Sequence, residues 1–523
     1  MLFRFTGGKQ KTQQEYLLAD NKAKILPVAF SLMASFMSAI TLLGVTMENY
    51  TYGTQFVMIN ISYVLSTPVA AYIFLPVFHG LQCTSVYRYL EARFGYTTRL
   101  LASLAFSLQM ILYMGIVLYA PSLALSAVTG LNFTGSVIAV GLVCTFYSSL
   151  GGMRAVLMTD VFQSLLMFAA VFTVIGCTCL DAGGLMPVLD NAWRRGRIEL
   201  LNLSLDPTVR HTVWSQAIGG CFVYCSLYAV NQAQLQRLLA LPSLSAGQAA
   251  LWLQVPILFL LSLSTSLAGL CLLYHYRDCD PLQSGRIRSG DQLLPLYIVD
   301  RLAQVPGLAG LTTAGIFSGS LSTVSSAINS LATVTLEDYI RPWLPNLSDK
   351  QISVVLKFLA FSFGGVCIAL AFLADLLGTG VLQASLTIFG VVGGPLLGLF
   401  TLGVFFRRVQ QTGAVAGLLS GLALVSWIGF GGPKPPTVKL EVSLTNCTNN
   451  LTGLADSTTL EQPDQYFYLY RISYAWTSAI GFTMTVLVGF LVGELVRKVR
   501  PPRTSVENIL LAKCVQRIPV DSL

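Results

Sequence analysis

Apolar residues gather along this chain in runs of about twenty, each separated from the next by a polar gap. A helix of that length crosses the hydrocarbon of a bilayer and satisfies its own backbone groups while doing so. The pattern predicts twelve membrane helices, near 25–46, 55–79, 101–128, 134–152, 157–180, 212–232, 248–274, 309–334, 352–376, 380–406, 413–431 and 470–495. The shorter TSVYRYLEARFG stretch at 84–95 mixes apolar and charged positions and predicts an amphipathic helix at the interface.

One predicted helix departs from the pattern. Between Ser318 and Ser330, eight of thirteen residues are Ser, Thr or Asn. At helical spacing Ser318, Ser322, Ser325 and Asn329 share a face, with Gly319, Thr323, Ser326 and Ser330 beside them. Ile316, Phe317, Leu321, Val324 and Ile328 make up the apolar remainder. Small and hydroxylated residues also serve close helix packing in membranes, and that suits any one of these serines. The cluster as a whole points to an ion site, because hard cations take oxygen ligands. It holds no carboxylate, the first acids being Glu337 and Asp338, so a monovalent cation suits it better than a divalent one.

Three other helices carry marks of a cavity. The first has the small run Ala34-Ser35 and Ser38-Ala39, then Thr41. Such a run lets backbones approach, or lets a helix break and turn its carbonyls to a binding site. The sixth opens on Gly219-Gly220, a candidate hinge. Its Tyr224 and Tyr228 lie on one face, with Asn231 a turn beyond, which suits either a gated cavity or an interfacial belt. The tenth has Gly390 and Gly393-Gly394-Pro395, a combination that breaks or bends helices. Asp160 opens the fifth predicted helix, where the helix dipole favours an acid. Glu48 and Asp375 fall at outer ends and are expected to be solvated.

Composition narrows the class. Hydrophobic residues make up 54% and charged residues 11% of the 523, with mean hydropathy +0.67; soluble proteins carry about 25% charged. The expected fold is an all-α polytopic membrane protein. Its net charge of +8 needs no nucleic-acid partner, since loop arginines and lysines facing the cytoplasm supply it. Arg88, Arg93, Arg99, Arg154, Arg237, Arg341, Lys350, Lys357, Arg407 and Arg408 fall in alternate gaps, which puts both termini inside. Arg194, Arg195 and Arg197 in the 181–211 loop are exceptions. The sequons at Asn202, Asn446 and Asn450 then lie outside and are candidate glycosylation sites, whereas Asn346 lies inside and Asn60 within a span. Cys279 and Cys447 sit in two outside loops and could pair. The eleven cysteines and three histidines show no metal-ligand spacing. No nucleotide-binding motif and no chain of buried acids is present, so neither primary pumping nor proton relay has an engine. The chain divides into a cytoplasmic segment 1–24, a core 25–406, two further helices within 407–496 around an outside loop 432–468, and a cytoplasmic tail 497–523. The first segment has no apolar signal-peptide stretch.

Six runs carry a family resemblance: LPVAFSLMASFMSAITLLGV (26–45), YMGIVLYAPSLALSAVTG (113–130), CTFYSSLGGMRAVLMTDVFQ (144–163), YAVNQAQLQR (228–237), FSGSLSTVSSAINSLATVTLEDYIRPWLP (317–345) and VLQASLTIFGVVGGPLLGLFTLGVFF (381–406). The chain resembles the sodium/solute symporter family over residues 9 to 500, in the branch of sodium-dependent multivitamin, sodium-coupled monocarboxylate and sodium/iodide transporters. The resemblance implies a LeuT-like inverted repeat, helices one to five against six to ten. It implies a sodium site from the carbonyls of Ala34, Met37 and Gly319 and the hydroxyls of Ser322 and Thr323. Thr41, Ser320, Ser325 and Asn329 would serve a second ion or the substrate, and Tyr224, Tyr228, Leu382 and Leu386 would line the substrate cavity. Asp160 would stand on the inner sodium exit route. The family often has Gln where Thr41 stands and an aromatic where Leu386 stands, and it usually carries a further span before the core. The implied function is not enzymatic: plasma-membrane symport of sodium, without organic cofactor, and a small anion such as a monocarboxylate, biotin or pantothenate. Symport of an inorganic anion such as iodide, and a non-transporting sensor or partner subunit, remain as alternatives.

Overall fold

The computed structural model describes residues 19–81, 84–150, 153–374, 380–445, 447, 465–499 and 507–516. All regular structure among them is helical. In chain order the elements are α1 (Ile25–Ala34), α2 (Thr46–Tyr52), α3 (Thr54–Leu81), α4 (Tyr87–Phe94), α5 (Tyr96–Thr129) and α6 (Phe133–Leu150). Then come α7 (Met153–Ala182), α8 (Leu185–Arg194), α9 (Gly220–Tyr228), α10 (Gln232–Leu239), α11 (Leu244–His275) and α12 (Leu293–Asp300). The last are α13 (Leu308–Val334), α14 (Asp349–Ala374), α15 (Val381–Phe405), α16 (Gln411–Phe430) and α17 (Tyr474–Val499).

Eight of these, α3, α5, α7, α11, α14, α15, α16 and α17, are continuous, long and apolar enough to cross a membrane. The other four predicted spans are helical but differ in form. α6 is short, and α13 is diluted by its hydroxyl residues. The first and sixth are interrupted.

The first interruption follows Ala34. Ser35 turns its hydroxyl back onto the Ser31 carbonyl (2.6 Å), and the Ser38 hydroxyl accepts the Ile40 N–H (3.1 Å). Ser38 thus satisfies a backbone N–H at the break, while the Ser31 carbonyl keeps its Ser35 N–H partner (3.1 Å) as well. A π turn at Thr41–Val45 then leads into α2. The second interruption lies at 229–231, after Tyr228, not at Gly219-Gly220 as expected from sequence. Asn231 adopts an extended conformation and caps α10 by accepting the Ala233 N–H (2.9 Å). The glycine pair serves packing instead: a Cβ on Gly219 would sit 2.3 Å from the Ala475 carbonyl oxygen, and one on Gly220 2.8 Å from Ser62 Oγ. The tenth predicted helix does not break either. Gly390 and Gly393 fall in a π turn, Phe389–Gly393, and Gly394 starts the α-helical stretch after it, within continuous α15.

The 84–95 stretch forms α4, but Tyr87, Tyr89, Leu90, Arg93 and Phe94 are buried, so it packs into the protein. Arg93 donates to the carbonyls of Gly403, Phe406 and Val409 at the end of α15, a favourable place for a cation.

At the opposite end of the bundle, the tip of α2 is tied to the loops. Tyr50 donates to Asp280 Oδ2 (2.6 Å), Leu440 N–H to the Thr51 carbonyl (3.2 Å), and Cys279 is bonded to Cys447. Asp291 in the same loop layer accepts the Val381 N–H (3.2 Å) at the start of α15 and the Ser289 hydroxyl (3.2 Å). Burial pushes the Asp291 carboxyl up to about 6, more strongly than those two donors lower it. The folded protein therefore holds a proton between pH 4 and 6 that the unfolded chain has already lost. Stability falls as pH rises through that window, by about 3 kcal/mol in all, and stays low above it. Asp291→Asn is expected to raise the melting temperature at pH 7.5, with the gain vanishing near pH 4. An equal shift at both pH values in detergent-solubilised protein would show that the charge is not responsible.

Candidate functional site

A cavity opens where the first interruption meets α3, α5, α9, α11 and α15. The space free of atoms there is about 760 Å³, open solvent at the mouth included. Phe36, Met37, Ile40 and Thr41 line it from the interruption, Tyr224 and Tyr228 from α9, and Leu382, Ser385, Leu386 and Phe389 from α15. Tyr63, Tyr113 and Ser262 add further hydroxyls, and no lining residue is charged. Tyr224 and Tyr228 stack at 4.4 Å between centroids, so these two rings face the cavity and do not form an interfacial belt. The Tyr224 hydroxyl is held by Thr67 (2.9 Å) and Gln254 (3.0 Å). Phe389 packs against Tyr113 at 4.5 Å and edge-on to Phe36 at 5.5 Å. The wall is thus aromatic with hydroxyl tips.

Beside the cavity, α13 presses on the interruption. A Cβ on Gly319 would lie 2.7 Å from Ala39 N and 2.9 Å from Ser38 C, so only glycine permits this approach. It brings three of the five sodium candidates, Ala34, Gly319 and Thr323, into contact. Thr323 Oγ1 lies 3.0 Å from the Gly319 carbonyl oxygen and 3.4 Å from that of Ala34. Ser322 is one residue away, and Met37 sits on the cavity wall. All the donors are neutral oxygens, buried with Ser322 and Thr323 at 0% and 1% exposure.

The Ser322 hydroxyl donates to Asp160 Oδ1 (2.6 Å). Asp160 is not in a first helical turn, since α7 starts at Met153; it is fully buried two turns inside. Its other oxygen accepts the Ser31 hydroxyl, which in turn accepts Arg237 Nε (2.7 Å). Arg237 Nη2 lies 3.7 Å from the carboxylate and bonds Ser326, while Nη1 donates to the Ala233 carbonyl (2.5 Å). Arg237 is therefore no loop charge in water, as its alternating-gap position suggested, but a buried clamp joining α1, α7, α10 and α13. Ser326 was expected beside the oxygen-rich face and Arg237 in a loop gap, Ser31 carried no expectation, and no local pattern joins the three to Asp160.

The remaining candidates are dispersed. Ser320 donates to the Val117 carbonyl of α5 (2.9 Å), and Ser325 to the Ser322 carbonyl of its own helix (3.4 Å). Asn329 is buried with its amide nitrogen unpartnered, and none of these three lines the cavity. Asn202 is half-buried in an outer loop, its Oδ1 accepting Ser204 N–H (3.1 Å). Asn446, Asn450 and Asp375 fall outside the described residues.

Glu48 is not solvated, contrary to expectation. It is fully buried and bound by Arg210 through Nε (2.6 Å) and Nη2 (3.0 Å). The first and last thirds of the chain fold over it. Arg210 Nη1 donates to Gln383 (2.9 Å), and its guanidinium lies over Tyr52 (4.1 Å) and Tyr474 (5.1 Å). Burial alone would lower the Arg210 pKa, but the Glu48 carboxylate outweighs it and holds the guanidinium above its ordinary value. Burial and Arg210 push His211 well below its ordinary value, so its 3.2 Å contact with Glu48 is made by a neutral ring.

This architecture has known counterparts. A sodium:solute symporter family model matches residues 16–421. The chain belongs to the sodium:solute symporter family. A Drosophila melanogaster protein provisionally named a sodium-dependent multivitamin transporter is 57% identical over 503 residues, covering 94% of this chain and 83% of that one. The sodium-dependent multivitamin transporter of Oryctolagus cuniculus is 42% identical, covering 98% and 83%. Sodium-coupled monocarboxylate transporter 1 of Homo sapiens is 40% identical, covering 94% and 83%. These symporter relatives are transporters, not enzymes. A solved structure of a Na+-coupled sialic acid symporter, substrate-bound and outward-open, shares the fold with a TM-score of 0.75 at 23% identity, over 93% of each chain.

Proposed function

We propose that this symporter family member couples sodium to the import of a small organic monoanion, of the multivitamin or monocarboxylate class, by alternating access. The observation that carries it is an uncharged, aromatic and hydroxyl-lined cavity that shares the Ala34–Thr41 interruption with a neutral-oxygen cradle on α13. A cation bound in that cradle supplies the positive charge that the cavity walls lack. Thr41, Tyr224, Tyr228, Leu382 and Leu386 would contact the solute; Ala34, Met37, Gly319, Ser322 and Thr323 would hold sodium. Asp160 would draw the ion inward.

The two interrupted helices, first and sixth of twelve proposed spans, stand at equivalent places in a five-plus-five inverted repeat, where such folds carry their sites. The Cys279–Cys447 disulfide supports placing the α2 tip outside the cell, because disulfides persist in oxidising compartments. Both termini are then cytoplasmic, the membrane is the plasma membrane, and Asn202, Asn446 and Asn450 are open to glycosylation. A monoanion entering alone works against about 2.3 kcal/mol per 100 mV, so two or more sodium ions per cycle make uptake electrically downhill.

Purified protein in liposomes, given an inward sodium gradient, is expected to accumulate at least one of biotin, pantothenate, lactate or nicotinate. Uptake should rise with a negative interior. Iodide measured alongside separates the inorganic alternative. Absence of sodium-dependent uptake of every carboxylate would sink the proposal.

A further inference from the structure

No described residue of the cavity wall is charged, yet a cation, Arg210, belongs to the layer packed on that wall at the disulfide side. His211, next to Arg210, packs on Phe56 of the cavity lining at 5.6 Å, and Gln383 is adjacent to lining residue Leu382. The same layer closes one seam beside the cavity. A Cβ on Gly44 would lie 2.7 Å from Leu382 Cβ, so α15 and the π turn before α2 touch there. Glu48 lies one turn beyond Gly44 and fills the Arg210 fork with both carboxylate oxygens. Glu48 and Gln383 sit on opposite sides of this seam, so a path to the cavity through it must separate Arg210 from at least one of them.

We infer that Arg210 is an external anion-capture site, at which the carboxylate of the incoming solute replaces Glu48 as the gate opens and surrenders the guanidinium to Glu48 as it closes. This rests on the carboxylate-transport reading above. The physical reason is the cost of a buried charge left alone: separating one partner of such a pair costs several kcal/mol unless another ion takes its place. A guanidinium fork binds any carboxylate in the same bidentate way. A solute carboxylate therefore lowers the barrier to opening, and an uncharged analogue does not. Tyr52 and Tyr474, stacked on the guanidinium, keep it at the rim while its partner changes.

The test is sodium-driven uptake into proteoliposomes of biotin against biotinamide and nicotinate against nicotinamide, each pair differing in the carboxylate. Arg210→Gln should raise KM for the acids at least tenfold and reduce the acid-over-amide preference by a similar factor. Its apparent sodium affinity should stay within twofold. Arg210→Lys, which keeps the charge but not the fork, should retain part of the preference. Glu48→Gln should move KM the other way, lowering it threefold or more, while turnover drops because closure is weakened. A merely structural pair would raise KM in both variants, and that result, or an unchanged preference in Arg210→Gln, overturns the site. If Arg210→Gln fails to reach the membrane, the direction of the Glu48→Gln shift decides alone. Wild-type protein that takes up none of biotin, pantothenate, lactate and nicotinate overturns the transport reading, whereas wild-type uptake without the split in variants overturns only the capture site.

Discussion

Arg237→Met is expected to leave almost no folded protein in the membrane. Arg237 is 1% exposed and faces Asp160, which is fully buried. Removing the guanidinium strands a carboxylate in low dielectric, at about 3–5 kcal/mol, against a total stability of only about 5–15 kcal/mol. It also removes donors from Ser31, Ser326 and the Ala233 carbonyl. The double variant Asp160→Asn with Arg237→Met should recover most of the loss, because an amide at 160 can accept one of the Ser31 and Ser322 hydroxyls through its oxygen and donate its N–H to the other, without a counter-charge. Surface labelling and the melting temperature in detergent check both. A single variant that melts like the parent, or a double variant no better than the single, would mean the pair is not what holds these four helices together.

Ser322→Ala combined with Thr323→Ala should weaken apparent sodium affinity at least tenfold, about 1.4 kcal/mol or more. Solute KM at saturating sodium should change much less. The two hydroxyls are buried beside the Ala34 and Gly319 carbonyls, and no carboxylate of α13 stands ready to replace them. Because Ser322 also donates to Asp160, the informative companion is Thr323→Ser, which keeps the hydroxyl and should keep the affinity. Unchanged sodium activation of uptake in a well-expressed double alanine variant would place the cation elsewhere.

The oxygen-rich stripe of α13 is visible in a linear string because a helix has a fixed period, and Ser322 and Thr323 stand out within it. The clamp around Arg237 is not visible, because its side-chain partners Asp160, Ser326 and Ser31 lie 77, 89 and 206 positions away. Loop-charge counting even placed Arg237 in the wrong environment, since a charge beside an apolar run reads as a flank whether it is solvated or folded inward. Glu48 was misplaced for the same reason: its partner comes from a loop 162 residues later. Gly219-Gly220 misled in another way. Glycine signals either a hinge or a close approach, and only the neighbouring Ala475 carbonyl and Ser62 decide between them.

The sequence by itself determined the class, the positions of the apolar helices, the ion-coloured face of α13 and the aromatic face of α9, because length, apolarity and helical period are local properties that lipid enforces. Tertiary structure alone decided where the first and sixth helices are interrupted, which charges are buried, and that the cradle and the cavity share one interruption. Those outcomes depend on which distant backbone groups and side chains arrive to satisfy one another, and no local pattern encodes an arrival.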